Sequence, residues 1–198
     1  MTADNSEKQE DEVFKSFGID EDDVKILKIF QEEPEITHVE IAKKINKSQP
    51  AVGARVTKLQ RKDLLATQKG INFKVVRDKM FLLMVDLQTK DPSPIVESEM
   101  LKCPFVINMF KRSGSKNLSV LLAATSMAKL ESIIDRHFRS NPSVISVETS
   151  FIVDVLKDFV MPVNWEFLRY EDITCGQICC QQVRKRLPEA PANENARA

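Results

Sequence analysis

Thr37-His38-Val39-Glu40-Ile41-Ala42-Lys43-Lys44-Ile45-Asn46-Lys47-Ser48-Gln49-Pro50-Ala51-Val52-Gly53-Ala54-Arg55-Val56-Thr57-Lys58-Leu59 contains two helix starts and a tight turn between them. Thr37 and Glu40 have the spacing of a capping box, in which each side chain satisfies an amide of the other's end of the first turn. Ile41, Ala42 and Ile45 then recur at helical spacing as one buried stripe. Asn46-Lys47 is the turn. Ser48 is an N-cap residue, and Pro50 is tolerated in a first helical turn, where its missing N–H has no helical partner. Val52, Val56 and Leu59 lie at i, i+4 and i+7 and give the second helix its inward face. Asp63 follows as the residue that takes a left-handed backbone.

Upstream, Asp20 reads as an N-cap with Asp23 three residues on, and Val24, Leu27 and Phe30 follow at helical spacing until Pro34 stops the helix. Downstream, Leu64–Val76 reads as two short strands turning at Lys69-Gly70. Helix, helix, turn, helix and hairpin make a winged helix-turn-helix. From residue 78 the rhythm changes. Met80–Gln88 is an apolar run of strand length, and Asp91-Pro92-Ser93-Pro94 opens a helix with Val96 and Met100 inward. Phe105–Lys111 and Leu118–Ala124 are strands around Ser113-Gly114-Ser115-Lys116. Met127, Leu130, Ile134 and Phe138 mark a helix closed by Asn141-Pro142. Val144–Phe151 begins a last strand directed toward Phe159. This order, β-α-β-β-α-β, is the ferredoxin-like arrangement. The expected fold class is therefore α+β. The expected divisions are a disordered acidic tail (1–17), the winged helix-turn-helix (18–77), the ferredoxin-like domain (78–162) and an extension (163–198). In that extension Trp165, Phe167, Leu168 and Tyr170 are expected to pack, and residues 174–187 to form a helix.

The 198 residues hold 29 Lys+Arg and 29 Asp+Glu, a net charge of zero that argues against a polyanion partner only if the charges are mixed. They are segregated. Residues 1–35 hold twelve acids and four bases, net −8, and residues 37–79 hold eleven bases and three acids, net +8. A basic block confined to one small unit points to nucleic acid. No run of about 18 apolar residues exists, which excludes a membrane-spanning helix. The acidic, polar N-terminus excludes a secretory signal, so the expected location is the cytoplasm and a disulfide framework is not expected.

The residues of the third helix that face away from its stripe carry the chemistry. Gln49 and Thr57 reach base edges, small Gly53 permits close approach to a groove, and Arg55, Lys58, Arg61 and Lys62 hold phosphates. Lys47 and Ser48 stand at the helix start, and Lys69 and Lys74 flank it on the wing. Double-stranded DNA is the expected partner, with this helix entering the major groove.

These residues carry a resemblance. Asp23-Val24-Lys25-Ile26-Leu27, Val39-Glu40-Ile41-Ala42, and Ser48 with Val52, Arg55, Val56 and Leu59 resemble the helix-turn-helix of the Lrp/AsnC (feast/famine) transcription regulators. The second half is similar to that family's βαββαβ effector and oligomerisation (RAM-type) domain. The resemblance implies a homodimer, tetramers or octamers built from it, and an amino acid or related metabolite bound between second domains at the turn after Lys111. Gly114, Asn117 and Thr149 are the corresponding effector candidates. Two positions depart from the family. Asp63 stands where glycine usually follows the recognition helix. Asn117 stands where the turn usually carries Asp, which removes the charge that would hold an ammonium group. The resemblance also implies a protein that is not an enzyme. The alternative is a sirohaem-decarboxylase-like enzyme, since such enzymes share the two-domain layout, with His38 and His137 as its only histidines.

Cys175, Cys179 and Cys180 form a cluster beyond the family core. On a helix, Cys175 and Cys179 share a face. The function needs no cofactor, and three readings of the cluster stay open. It is part of a site for zinc or another soft metal, completed by Cys103, His137 or a second subunit; it is a thiol switch; or it packs a terminal helix.

Overall fold

The computed structural model describes Phe14 and residues 16–91 and 100–170. The acidic tail up to residue 13, most of the helix expected after Asp91, the helix expected at 174–187 and the cysteine cluster Cys175, Cys179 and Cys180 lie outside the described residues. The chain divides into two units between Gln68 and Lys69. The boundary expected at 77/78 is thus corrected. Residues 69–77 belong with the second unit, for a reason that their strand pairing supplies below.

The first unit has three helices: α1 (Glu21–Glu32), α2 (His38–Ile45) and α3 (Gln49–Arg61). Each starts where the sequence places its cap. Asp20 and Asp23 form one capping box and Thr37 and Glu40 another, while the Ser48 hydroxyl accepts the Ala51 amide at 3.4 Å. Asn46 ends α2 with φ 54°, and Asp63 follows α3 with the same φ, both left-handed. Ile19, Ile26, Ile41, Ala42, Val52, Val56 and Leu59 make the core. In α1 the fully buried aliphatic is Ile26, with Val24, Leu27 and Phe30 half-buried around it. A side chain of this size contributes about 1.5–3 kcal/mol when it leaves water.

The expected hairpin at 64–76 does not form. The amides of Leu64 and Leu65 turn back to the Leu59 carbonyl, which finishes α3. Then β1 (Ile71–Asn72) pairs antiparallel with β6 (Val160–Met161), not with residues 64–68. Gly70 accounts for the misreading. A Cβ at this position would lie 1.9 Å from the Met161 carbonyl oxygen, so the glycine admits a neighbouring backbone and does not make a turn.

The second unit continues with α4 (Phe73–Val76), β2 (Phe81–Thr89), β3 (Val106–Lys111), β4 (Leu118–Ala124), α5 (Met127–Ile134) with a π-helical turn (Asp135–Arg139), and β5 (Val144–Phe151). The four longer strands form one antiparallel sheet in the order β3-β4-β2-β5. This is the order expected of the ferredoxin-like arrangement. Leu83, Val85 and Leu87 stand opposite Leu122, Val120 and Leu118, one apolar layer shared by the two central strands. Leu130, Ile133, Ile134 and Phe138 complete that core. β5 stops at Phe151 and does not run on to Phe159. Of the aromatics expected to pack after Pro162, Phe167 and Tyr170 are buried, with the Phe167 ring edge-on to Phe105 at 6.0 Å. Trp165 and Leu168 are exposed instead.

Candidate nucleic-acid interface

The side chains of α3 sort into three sectors, because successive residues turn about 100° around the helix axis. Val52, Val56 and Leu59 point into the core. Arg55, Lys58 and Lys62 share one flank. Pro50, Ala54, Thr57 and Arg61 run along the side opposite the core, and all four are exposed.

The flank is occupied by the start of α1. One guanidinium nitrogen of Arg55 donates to both oxygens of Asp20 at 2.7 Å and to Asp23 Oδ1 at 2.8 Å; the other reaches Asp22 at 3.2 Å. Lys58 Nζ donates to Asp23 Oδ2 at 2.8 Å. Lys47 pairs with Asp22 at 2.8 Å, and Lys62 Nζ donates to the Gly18 carbonyl at 2.9 Å. Asp23 is completely buried, which alone would disfavour its charge. Lys58, Arg55 and the Asp20 amide outweigh that burial and hold its carboxyl below the usual carboxylate range. The Arg55 hydrogen bond holds Asp20 low in the same way, and the Asp20 and Asp23 carboxylates hold the guanidinium protonated. Three carboxylates at the positive end of the α1 dipole thus meet the cations of α3.

This changes the assignment of the expected DNA contacts. Arg55 and Lys58 join α3 to α1, and the exposed Lys47 and Lys62 are likewise engaged, with Asp22 and the Gly18 carbonyl. Ser48 is committed as a helix cap. Gln49, Thr57 and Arg61 remain on exposed positions, and among the described residues Arg61 has no carboxylate within ion-pairing distance. The Thr57 hydroxyl donates to the Gly53 carbonyl at 2.9 Å. Gly53 has room for a methyl group: a Cβ there would meet only His38 Nδ1, at 3.7 Å. Lys69 and Lys74 fall in the second unit, so they are not wing residues of the first. Lys74 pairs with Asp158 at 3.1 Å. Sequence reasoning missed Asp20, Asp22 and Asp23 as partners of Arg55. The available signal was the position of Arg55 beside the apolar stripe, not opposite it.

Residues 19–65 match the family described as winged helix-turn-helix DNA-binding, and residues 80–161 match the Lrp/AsnC ligand binding domain. The chain belongs to the Lrp/AsnC family. It is a DNA-binding transcription regulator of that type. Similar proteins include the HTH-type transcriptional regulator LysM of Saccharolobus solfataricus, 25% identical over 136 residues, which are 69% of this chain and 94% of LysM. An uncharacterized HTH-type transcriptional regulator of Pyrococcus abyssi is 26% identical over 141 residues, 70% of this chain and 89% of that protein. Among solved structures, E. coli AsnC is similar with a TM-score of 0.60 at 15% identity, over 70% of this chain and 95% of AsnC. A Neisseria meningitidis transcriptional regulator, solved as a complex with L-Met, is similar with a TM-score of 0.59 at 17% identity, over 76% of this chain and 99% of that one. These structural likenesses bear on the fold alone.

In this Lrp/AsnC chain the effector candidates do not converge. Gly114 makes the β3–β4 turn with φ 102°. Asn117 is committed to the sheet: its Oδ1 accepts from the Thr89 amide at 2.9 Å and from the Thr89 hydroxyl at 3.1 Å, and its Nδ2 donates to the Thr89 carbonyl at 2.9 Å. Thr149 is exposed on β5 opposite Val85, four residues from Thr89 along β2, or about 13 Å at strand rise. Among the described residues no group of three His, Cys, Asp or Glu has the arrangement of a metal site, and no helix is long and apolar enough to cross a membrane. Cys103 is buried and forms no disulfide among the described residues.

Proposed function

We propose that the chain acts as a homodimeric, non-catalytic transcription regulator of the cytoplasm, with larger assemblies built from the dimer, whose second unit receives a small-molecule input. The observation that carries this reading is the exposed side of α3, left clear of internal ion pairs within a matched DNA-binding motif. The L-Met complex of the Neisseria regulator supports a small amino acid or related metabolite as the input. DNA binding itself needs no cofactor in this reading. Catalysis of the decarboxylase kind finds no support in the histidines, since His38 is exposed in the first unit and His137 is buried in the second.

A second reading places the input in the cysteine tail, as a thiol switch or a site for zinc or another soft metal at Cys175, Cys179 and Cys180. What favours it is Asn117, whose amide is already used by Thr89. One experiment separates the two. Fluorescence anisotropy of a labelled duplex bound by the full chain is followed with each proteinogenic amino acid, then with oxidant, reductant, zinc and chelator. A shift with an amino acid supports the first reading. A shift confined to thiol and metal reagents, lost when the three cysteines are changed to serine, supports the second. No shift in any arm rejects both inputs.

A further inference from the structure

We infer that α3 reads thymine, with Thr57 and Ala54 packing on thymine C5-methyl groups and Gln49 hydrogen-bonding the adenine of an A·T pair. The inference rests on the DNA-binding reading of α3 and adds which bases it selects. Arginine and lysine are the side chains that recognise guanine in the major groove. On α3 those nearest the groove-entering N-terminal half are Arg55 and Lys58, with Lys47 in the preceding turn. All three are held by Asp20, Asp22 and Asp23. The remaining cation, Arg61, stands in the last turn of the helix, where it suits a phosphate.

What the exposed side of the helix offers is different chemistry. Pro50, Ala54 and Thr57 lie at i, i+4 and i+7 on one exposed line, with Gln49 beside it. The Thr57 hydroxyl proton is spent on the Gly53 carbonyl of its own helix, so Thr57 meets the groove with a methyl group and no free donor. Methyl-bearing side chains complement the thymine C5-methyl, and a glutamine amide matches adenine N6 and N7, the two halves of one base pair.

The test uses the full chain and duplexes selected by it from a random pool. Each thymine of the selected site is then replaced singly by deoxyuridine, which removes the methyl group and keeps the pairing. At a contacted position affinity falls about three- to fivefold, the worth of one buried methyl group. Thr57→Ser removes this discrimination at the thymine that Thr57 contacts, whereas Thr57→Val, which keeps the methyl group and discards the hydroxyl, retains it. Sites dominated by G·C at the contacted positions, or deoxyuridine tolerated at every position by a tightly binding protein, would overturn the assignment while leaving DNA binding intact. Failure to retain any duplex at low salt would remove the DNA-binding reading and this one with it.

Discussion

The two outer sides of α3 lie on one short helix and do opposite things. On one flank, Arg55, Lys58 and Lys62 are bound by the start of α1. On the side opposite the core, Pro50, Ala54, Thr57 and Arg61 meet solvent. The difference shows that charge counted along a chain is not charge available to a partner. The +8 block of residues 37–79 and the −8 block of residues 1–35 do not form two separate poles, because four acids of the second block, Asp20, Asp22, Asp23 and Glu33, are spent on bases of the first.

The largest break in this comparison comes from Arg55→Ala. It leaves the buried Asp23 with Lys58 as its remaining side-chain cation and is expected to destabilise the first unit by on the order of 3 kcal/mol, as for other buried pairs that lose one partner. Amide hydrogen exchange over residues 21–61 measures this directly. Unchanged protection would return Arg55 to the DNA surface.

Acid is expected to act through the same contacts. Asp20 and Asp23 have folded-state pKa values below their unfolded ones. Their contribution is therefore complete above the unfolded value of about 3.9 and is lost as pH falls through the folded values. Protection of α1 and α3 should hold from neutral pH to about 5 and decline below 4, and Arg55→Ala should flatten that decline. A decline centred near pH 6 would point to histidine instead.

The exposed side gives smaller effects. Arg61→Ala is expected to leave stability within about 0.5 kcal/mol and to lower the salt slope of DNA binding by about one, the signature of a single phosphate contact. An anisotropy titration across salt concentrations reads both affinity and slope, and an unaltered slope would remove Arg61 from the interface. The smallest effect is at Gly53, which sequence reading linked to close approach. With only His38 Nδ1 near the missing Cβ, Gly53→Ala is expected to stabilise the first unit by about 0.5–1 kcal/mol, because alanine costs less backbone entropy in a helix interior. A fall in protection would show that the added methyl group is not accommodated.

Much of the fold was legible because its signals are local. Capping residues lie three positions from the amides they satisfy, so Asp20, Thr37 and Ser48 placed three helix starts correctly. The stripe Val52, Val56 and Leu59 similarly identified the buried face of α3. The site was less legible. Thr57 and Gln49 were placed on the exposed surface, but Arg55 and Lys58 were assigned to DNA because a cation looks the same in sequence whether phosphate or carboxylate answers it. Asn117 posed the same problem: a free amide at a turn and a clasp on Thr89 have one spelling.

The sequence alone determined the three helices of the first unit and where each begins, the four longer strands of the second, and which face of α3 is apolar, since periodicity and caps act within a few residues. Only the tertiary structure decided that β1 pairs with β6, that Gly70 admits the Met161 carbonyl, and that the acids of α1 bind the bases of α3. Those partners are tens of residues apart, and their choice depends on packing that brings distant backbone and charge together, which no local pattern encodes.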